Sequence, residues 1–202
     1  MKGYKKEESY DLETTNKLKE NYSNIIENIG EDPNREGLLK TPERVAKAMQ
    51  FLTQGYNTDG KQILESAIFS EDYNQMVLVK GIELYSLCEH HMLPFSGAVD
   101  IAYIPDGEVL GISKLARLVD MFARRLQIQE RMTAEIACAL QEHLIPKGVA
   151  VRILASHSCM THRGTQKGGS VMESTHFTGE YKNDLGKRRE FLEAVRRGDR
   201  SY

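Results

Sequence analysis

The sequence lacks the features that mark membrane, exported and nucleic-acid-binding proteins. No apolar run approaches the roughly 20 residues that a membrane-spanning helix needs. Residues 1–8 contain no apolar core of a signal peptide. Lys and Arg total 27 against 29 Asp and Glu, so the net charge of −2 provides no general attraction for nucleic acid. We therefore expect a cytoplasmic protein with no membrane or nucleic-acid partner.

Cysteine is also scarce, with three in 202 residues. An odd count in a chain of this kind indicates thiol or metal chemistry rather than a disulfide framework. Cys138 has no partner at ligand spacing, and we predict that it is a small buried residue on its helix. Internal repeats and low-complexity segments are absent. Composition and length predict a helical N-terminal region, 1–60, followed by one domain with a hydrophobic core, 61–202.

Hydrophobic periodicity predicts an α+β fold with mostly antiparallel strands. A first helix begins near Leu12, and a second begins at Thr41-Pro42-Glu43, with Thr41 as its N-cap. We expect Gly55 to cap the end of the second helix. The apolar stripe of the first helix comprises Leu18, Tyr22, Ile25, Ile26 and Ile29. Strands are predicted at 76–87, 97–104, 149–156 and within 170–181, and helices at 113–126, 129–145 and 187–197.

Two short clusters at predicted strand ends offer metal ligands. Cys88 and His91 form a Cys-x-x-His pair, and His157 and Cys159 form a His-x-Cys pair. All four could close a structural zinc site. Three of them would leave an open position, where the metal lowers the pKa of a water to about 7. His90 has no use in a closed site. A metal-free interpretation, with scattered buried cysteines and surface histidines, remains a third alternative.

Two further patterns suggest a ligand that carries phosphate and a hydrogen-bonding edge. Ser113, Lys114 and Arg117 lie at the start of a helix, where backbone amides, a hydroxyl and cations suit a phosphate. Arg163 could join them. Glu130 begins the next helix and could accept two hydrogen bonds from an N–H/NH2 edge such as that of guanine. Each pattern also has a purely structural explanation. Ser113, Lys114 and Arg117 could belong to the solvated face of an amphipathic helix, and Glu130 could be an acid that stabilises the helix dipole.

Together these motifs resemble GTP cyclohydrolase I. Residues 88–91, 111–117, 127–131 and 157–164 occur in the order and spacing of that family, and the similarity runs from about residue 31 to residue 192. The resemblance implies an enzyme that opens the imidazole ring of GTP by hydrolysis and releases formate. The product would be 7,8-dihydroneopterin triphosphate, the first step toward folate or tetrahydrobiopterin.

The resemblance also implies roles for individual residues. It makes Cys88, His91 and Cys159 the ligands of Zn2+, with His90 and His157 left for proton transfer. The implied substrate contacts are Gln129 and Glu130 at the guanine edge, and Ser113, Lys114, Arg117 and Arg163 at the ribose and triphosphate. His162 and His176 fit no ligand spacing and are expected to be bystanders.

The implied fold is the T-fold, an antiparallel four-stranded sheet with two helices on one face, here with an N-terminal helical extension. Subunits of that family join into a homo-oligomer, usually a decamer of two pentamers, with active sites between subunits. Allosteric control is compatible with this architecture. Two alternatives stay open: a related T-fold or GTP ring-opening enzyme with another product, and a non-catalytic nucleotide-sensing or structural zinc protein.

Overall fold

The structure is a computed structural model that describes residues 10–197 of the chain. Two compact units follow one another, and the boundary lies between Gln54 and Gly55. Within the described residues, no helix is both long enough and apolar enough to cross a membrane. The first unit contains helices α1 (Leu12–Asn28) and α2 (Thr41–Leu52).

A hydrogen-bonded glutamine joins the two helices of the first unit. Gln50 of α2 accepts from the Asp11 amide and donates to the Thr15 hydroxyl of α1, at 2.9 and 2.7 Å. The buried residues of α1 are Thr15 and Ile26. The predicted apolar stripe is therefore wrong in part, because Ile25 and Ile29 are exposed.

The predicted caps of α2 are also corrected. Its N-cap is Lys40, which makes no side-chain capping bond, while the Thr41 hydroxyl donates to the Gly37 carbonyl at 3.4 Å. The helix ends at Leu52, ahead of Gly55. Gly55 instead opens the second unit, where its amide donates to the Arg124 carbonyl. A Cβ at Gly55 would lie 2.0 Å from a backbone oxygen, so close approach of two segments requires glycine there.

The second unit contains the strands. After a 3-10 turn at Gln54–Asn57, its elements are α3 (Gly60–Glu65), β1 (Ile68–Ser70), β2 (Val77–Cys88), β3 (Pro94–Ile104), β4 (Glu108–Leu110), α4 (Ile112–Ala123), β5 (Leu126–Gln127), α5 (Gln129–His143), β6 (Gly148–His157), α6 (Ser158–Thr161), β7 (Met172–Phe177), α7 (Gly179–Asn183) and α8 (Leu185–Arg196). The main sheet has the order β5-β2-β3-β6-β7, and β1 pairs separately with β4. The four longer strands of the main sheet are antiparallel, as predicted, and the two-residue β5 adds a parallel edge to β2.

Both faces of the sheet are covered, by different helices. On one face, the predicted helices α4 and α5 pack against β2 and β6 respectively, with Val99, Leu118 and Ile136 fully buried in the shared core. On the other face, Ala102 and Ala150 lie beneath residues of α7 and α8 such as Tyr181 and Phe191. The α+β architecture predicted from the sequence is confirmed. Because β3 and β6 are central and antiparallel, the start of β3 lies beside the end of β6, where the predicted metal ligands lie.

Candidate metal centre

A tight loop between β2 and β3 carries the first half of the site. The Cys88 amide donates to the Leu93 carbonyl at 2.9 Å, and the Met92 amide donates back to the Cys88 carbonyl at 2.8 Å. Met92 takes a positive φ of 53°, which lets the chain reverse within this loop. The reversal brings His91 close to Cys88, at the end of β2.

The second half comes from the end of β6. Its last residue, His157, pairs across the sheet with Phe95 at the start of β3. The short helix α6 follows immediately and carries Cys159. The potential ligand atoms of Cys88, His91 and Cys159 all lie within 4.8 Å of one another. The structure thus brings these three together and leaves His157 outside the group.

The group fits zinc by the chemistry of its donors. Two thiols and one imidazole are soft and borderline ligands that suit this metal. At usual zinc–ligand lengths, neighbouring ligand atoms on a tetrahedral ion are about 3.5–3.8 Å apart, so the side chains need to close by only about 1 Å. Burial raises the pKa of the Cys159 thiol, Cys88 raises it further, and Arg163 acts in the opposite direction. A divalent cation between the two sulfurs would reverse this effect and favour thiolates.

His157 is held rigidly beside the group. Its ring stacks on Phe95 with 4.5 Å between centroids and 3° between planes. Its Nε2 lies 2.9 Å from Oε1 of Gln129. Burial lowers the pKa of His157, with an opposing effect from Glu130, so the neutral imidazole is favoured.

His90 lies on the open side of the same loop. Its side chain is 65% exposed, and Nε2 is 4.0 Å from a carboxylate oxygen of Glu89. Its Nδ1 lies 4.0 Å from the Cys88 sulfur. His90 is therefore next to the three potential ligands without being one of them, and its ring can reach a molecule that arrives from solvent.

An ion pair that sequence reasoning missed anchors the ligand loop to α5. The Glu89 carboxylate accepts a short hydrogen bond from the Arg131 guanidinium, which holds the pKa of that carboxyl below its usual range. The Glu89 amide also donates to the Gln127 carbonyl at 3.0 Å, and Arg131 donates to the Gln127 side chain at 3.3 Å. The two opposite charges lie in separate motifs, 42 residues apart, so no local sequence pattern pairs them.

The predicted substrate residues fall into three environments. Glu130 and Arg163 are exposed beside the group, since Glu130 acts on the pKa of His157 and Arg163 on that of Cys159. Ser113 and Arg117 are exposed and Lys114 half-buried on α4, and within residues 10–197 no hydrogen bond links them to the group. Gln129 is only 1% exposed.

The remaining cysteine and histidines lie outside the group. Cys138 is exposed, which corrects its predicted burial. The buried row of α5 contains Met132, Ile136 and Leu140, and Cys138 is two residues from Ile136, on the opposite side of the helix. His162 is exposed and hydrogen-bonds to Thr161 at 2.7 Å, and His176 is half-buried on β7.

Comparison with known proteins places similar sequences in one family. The sequence profile described as GTP cyclohydrolase I matches residues 18–196. A GTP cyclohydrolase 1 from Pseudoalteromonas translucida is 54% identical over 181 residues, covering 90% of this chain and 98% of the relative. The relative from Chlorobium phaeovibrioides is 52% identical over 89% of this chain and 80% of its own. A GTP cyclohydrolase 1 from Alkalilimnicola ehrlichii is 54% identical, covering 87% of this chain and 95% of the relative.

Proposed function

The chain belongs to the GTP cyclohydrolase I family, and from that membership we propose how its residues carry out the reaction. The activity is the hydrolytic opening of the guanine imidazole ring of GTP, with release of formate and rearrangement to 7,8-dihydroneopterin triphosphate. The observation that carries our proposal is the grouping of Cys88, His91 and Cys159 within 4.8 Å, with His90 and His157 beside them. Three ligands and two free imidazoles suit a catalytic rather than a closed site.

We propose that Cys88, His91 and Cys159 hold Zn2+. When bound, the metal supplies the Lewis acidity that makes a water nucleophilic at neutral pH. The loop geometry supports this assignment, because the hydrogen bonds around Cys88 and Met92 fix the backbone turn that carries two of the ligands. The Glu89–Arg131 pair supports the same loop from α5.

His90 and His157 then move the protons that the reaction requires. Addition of water at C8 of guanine requires a proton at N7, because the aromatic ring resists addition. Cleavage of the resulting formamide requires a second proton donor. His90 is largely exposed, where incoming substrate can reach it, and the half-buried His157 is stacked against Phe95. The two imidazoles can therefore act at different atoms of one bound base.

The substrate contacts follow from charge and position. Glu130, exposed next to His157, is suited to accept two hydrogen bonds from the guanine N–H/NH2 edge. GTP carries about four negative charges, and a chain of net charge −2 has to provide cations locally. Arg163 lies beside Cys159, while Ser113, Lys114 and Arg117 offer a hydroxyl and two cations at the start of α4.

We further propose that the enzyme is a homo-oligomer, a decamer of two pentamers with active sites between subunits. The strand β7 supports this because, among residues 10–197, it pairs on one side only, with β6, so its other edge can continue the sheet into a second copy. In such an assembly, Ser113 and Arg117 would supply their phosphate contacts to the site of a neighbouring subunit. Thiolate ligands also require reducing surroundings, which is the basis for placing the enzyme in the cytoplasm.

The experiment is incubation of purified, zinc-loaded protein with GTP, followed by assays for formate and for a fluorescent oxidised pterin. We expect both products in equal amounts. Formate without pterin would indicate a ring-opening enzyme with a different product. If GTP were bound but neither product formed, a nucleotide-sensing protein with a structural metal would replace this account.

A further inference from the structure

Gln129 is a buried polar side chain whose every polar atom is bonded. It opens α5 and is only 1% exposed. Its Nε2 lies 3.1 Å from the Ile153 carbonyl, 3.1 Å from the Met172 carbonyl and 3.0 Å from the Ser174 hydroxyl. Its Oε1 lies 2.9 Å from Nε2 of His157. Its side chain therefore has a direct route to the reaction through the histidine, separate from the predicted contact with the guanine edge.

The two backbone carbonyls determine which way the amide faces. A carbonyl oxygen can only accept, so the atom of Gln129 that faces Ile153 and Met172 must be the NH2 group. With the amide reversed, three oxygens would face one another in the interior, and buried unpaired acceptors are costly. The oxygen of the Gln129 amide therefore faces His157.

A pair of hydroxyls agrees with this orientation. Thr133 donates its one hydroxyl proton to the Gln129 backbone carbonyl at 2.6 Å. The 2.7 Å contact between Thr133 and Ser174 must then have Ser174 as the donor. With its own proton committed, Ser174 accepts from the NH2 group of Gln129. Both hydroxyl protons thus have one consistent position, and the two hydrogens of the NH2 group are shared among three acceptors.

This network has a consequence for the ring of His157. An amide oxygen only accepts, so Nε2 of His157 must carry a hydrogen. In the neutral imidazole the other nitrogen, Nδ1, then has the free lone pair. Within residues 10–197, Nδ1 makes no hydrogen bond, and the stack on Phe95 keeps the ring from turning.

We propose that Gln129 is a positioning residue that fixes His157 as its Nε2–H tautomer, so that Nδ1 is the nitrogen that exchanges a proton in the reaction. The inference rests on the proposed role of His157. A proton taken up at Nδ1 leaves the Nε2–H bond to Gln129 in place, and the same proton departs from Nδ1 to the ring nitrogen that it protonates. The neutral amide orients the ring at both stages.

Three variants test the assignment. Gln129→Met keeps the length of the side chain and removes the acceptor. Gln129→Glu keeps an oxygen opposite Nε2 and, as a buried neutral carboxyl, keeps one donor for the Ile153 and Met172 carbonyls. Gln141→Met removes a glutamine of the same helix that bonds to Pro146 and Thr178 and touches no histidine. The measurement is 15N NMR of ring-labelled histidine in the zinc-loaded protein without GTP, with His157 assigned from the difference spectrum of His157→Gln.

We expect the Nε2–H tautomer in the unmodified protein, in Gln129→Glu and in Gln141→Met, and a mixture of tautomers in Gln129→Met. The kcat of Gln129→Met should fall about 10- to 100-fold, with zinc content and KM nearly unchanged. An Nδ1–H tautomer in the unmodified protein, or a Gln129→Met protein with unaltered tautomer and kcat, would overturn the proposal. If Gln129→Met does not fold, the tautomer of His157 in the unmodified protein and in Gln129→Glu still tests the proposal.

The tautomer is read without turnover, so the two proposals fail separately. A protein with the Nε2–H tautomer that forms no formate from GTP would contradict the proposed function, and the assigned role of Nδ1 with it. A protein that forms formate while His157 carries its hydrogen on Nδ1 would contradict only the role given to Gln129.

Discussion

Phe95 and His157 face each other across neighbouring strands, with ring planes 3° from parallel and centroids 4.5 Å apart. They are direct partners in the register between β3 and β6. A shift of one residue in that register would turn His157 to the opposite face of the sheet, away from Cys88. The hydrophobic pattern of two strands therefore decides where an imidazole of the site lies.

Phe95→Leu tests the importance of this stack. The substitution removes aromatic contact with His157 and a few buried carbons, so we expect the free energy of unfolding to fall by about 1–2 kcal/mol. The ring of His157 gains freedom, and kcat should fall about tenfold with zinc content unchanged. Urea unfolding and steady-state kinetics measure the two effects. A normal kcat in a destabilised protein would mean that the stack serves stability alone.

His90→Ala separates proton transfer from metal binding. Because His90 lies beside the metal group without belonging to it, the variant should keep one zinc per chain and lose at least about 100-fold in kcat. Metal analysis and formate release measure this. His162→Ala, another exposed histidine near the site, is the matched control and should retain activity. Loss of zinc in His90→Ala would show that the ligand assignment is wrong.

Glu130→Gln tests recognition of the guanine edge. The amide keeps the shape of the side chain but replaces one acceptor with a donor, which faces the N–H/NH2 edge unfavourably. We expect GTP to bind at least about tenfold more weakly, a cost of about 1.4 kcal/mol, with zinc content unchanged. Calorimetric titration with GTP gives the affinity. Glu142→Gln on the exposed side of the same helix is the control, and equal affinities in both variants would refute the role of Glu130.

Arg152→Met tests a buried ion network on the second face of the sheet. The Arg152 side chain is 3% exposed and bonds to Asp100 at 3.3 Å and Glu173 at 3.1 Å. Removal of the cation takes away the buried positive charge that Asp100 faces, so unfolding should become easier by about 3–5 kcal/mol. Denaturant unfolding measures the change. Arg35→Met, which breaks an exposed pair with Glu31, should leave stability almost unaltered.

Local patterns predicted most of the elements, because periodicity and strand alternation depend on neighbours in sequence. The end of β2 at Cys88 and the start of α5 at Gln129 lie within a residue or two of their predicted positions. The error at Cys138 was avoidable, since that residue lies off the buried row of its own helix. The two-residue strand β5 was not predictable in this way, because its pairing with the end of β2 is set by tertiary contact.

The site residues divide in the same way, into features that local sequence predicts and features that depend on tertiary contacts. Spacing and strand ends were enough to suggest that Cys88 and Cys159 meet, 71 residues apart in sequence (159 − 88). The burial of Gln129 could not be predicted from the sequence. Its partners come from β6 and β7, and a residue at the start of a helix can equally well be exposed. The support of Glu89 by Arg131 required the relative placement of the β2–β3 loop and α5, which no local pattern contains.

The most direct test of the account is a zinc titration of metal-free protein in the presence of GTP, with formate measured at each addition. We expect no formate without metal, and a linear rise that stops at one zinc per chain. Cys159→Ser should bind zinc more weakly and require excess metal for any formate. Full formate release from metal-free protein, or one bound zinc per chain with no formate, would contradict the account.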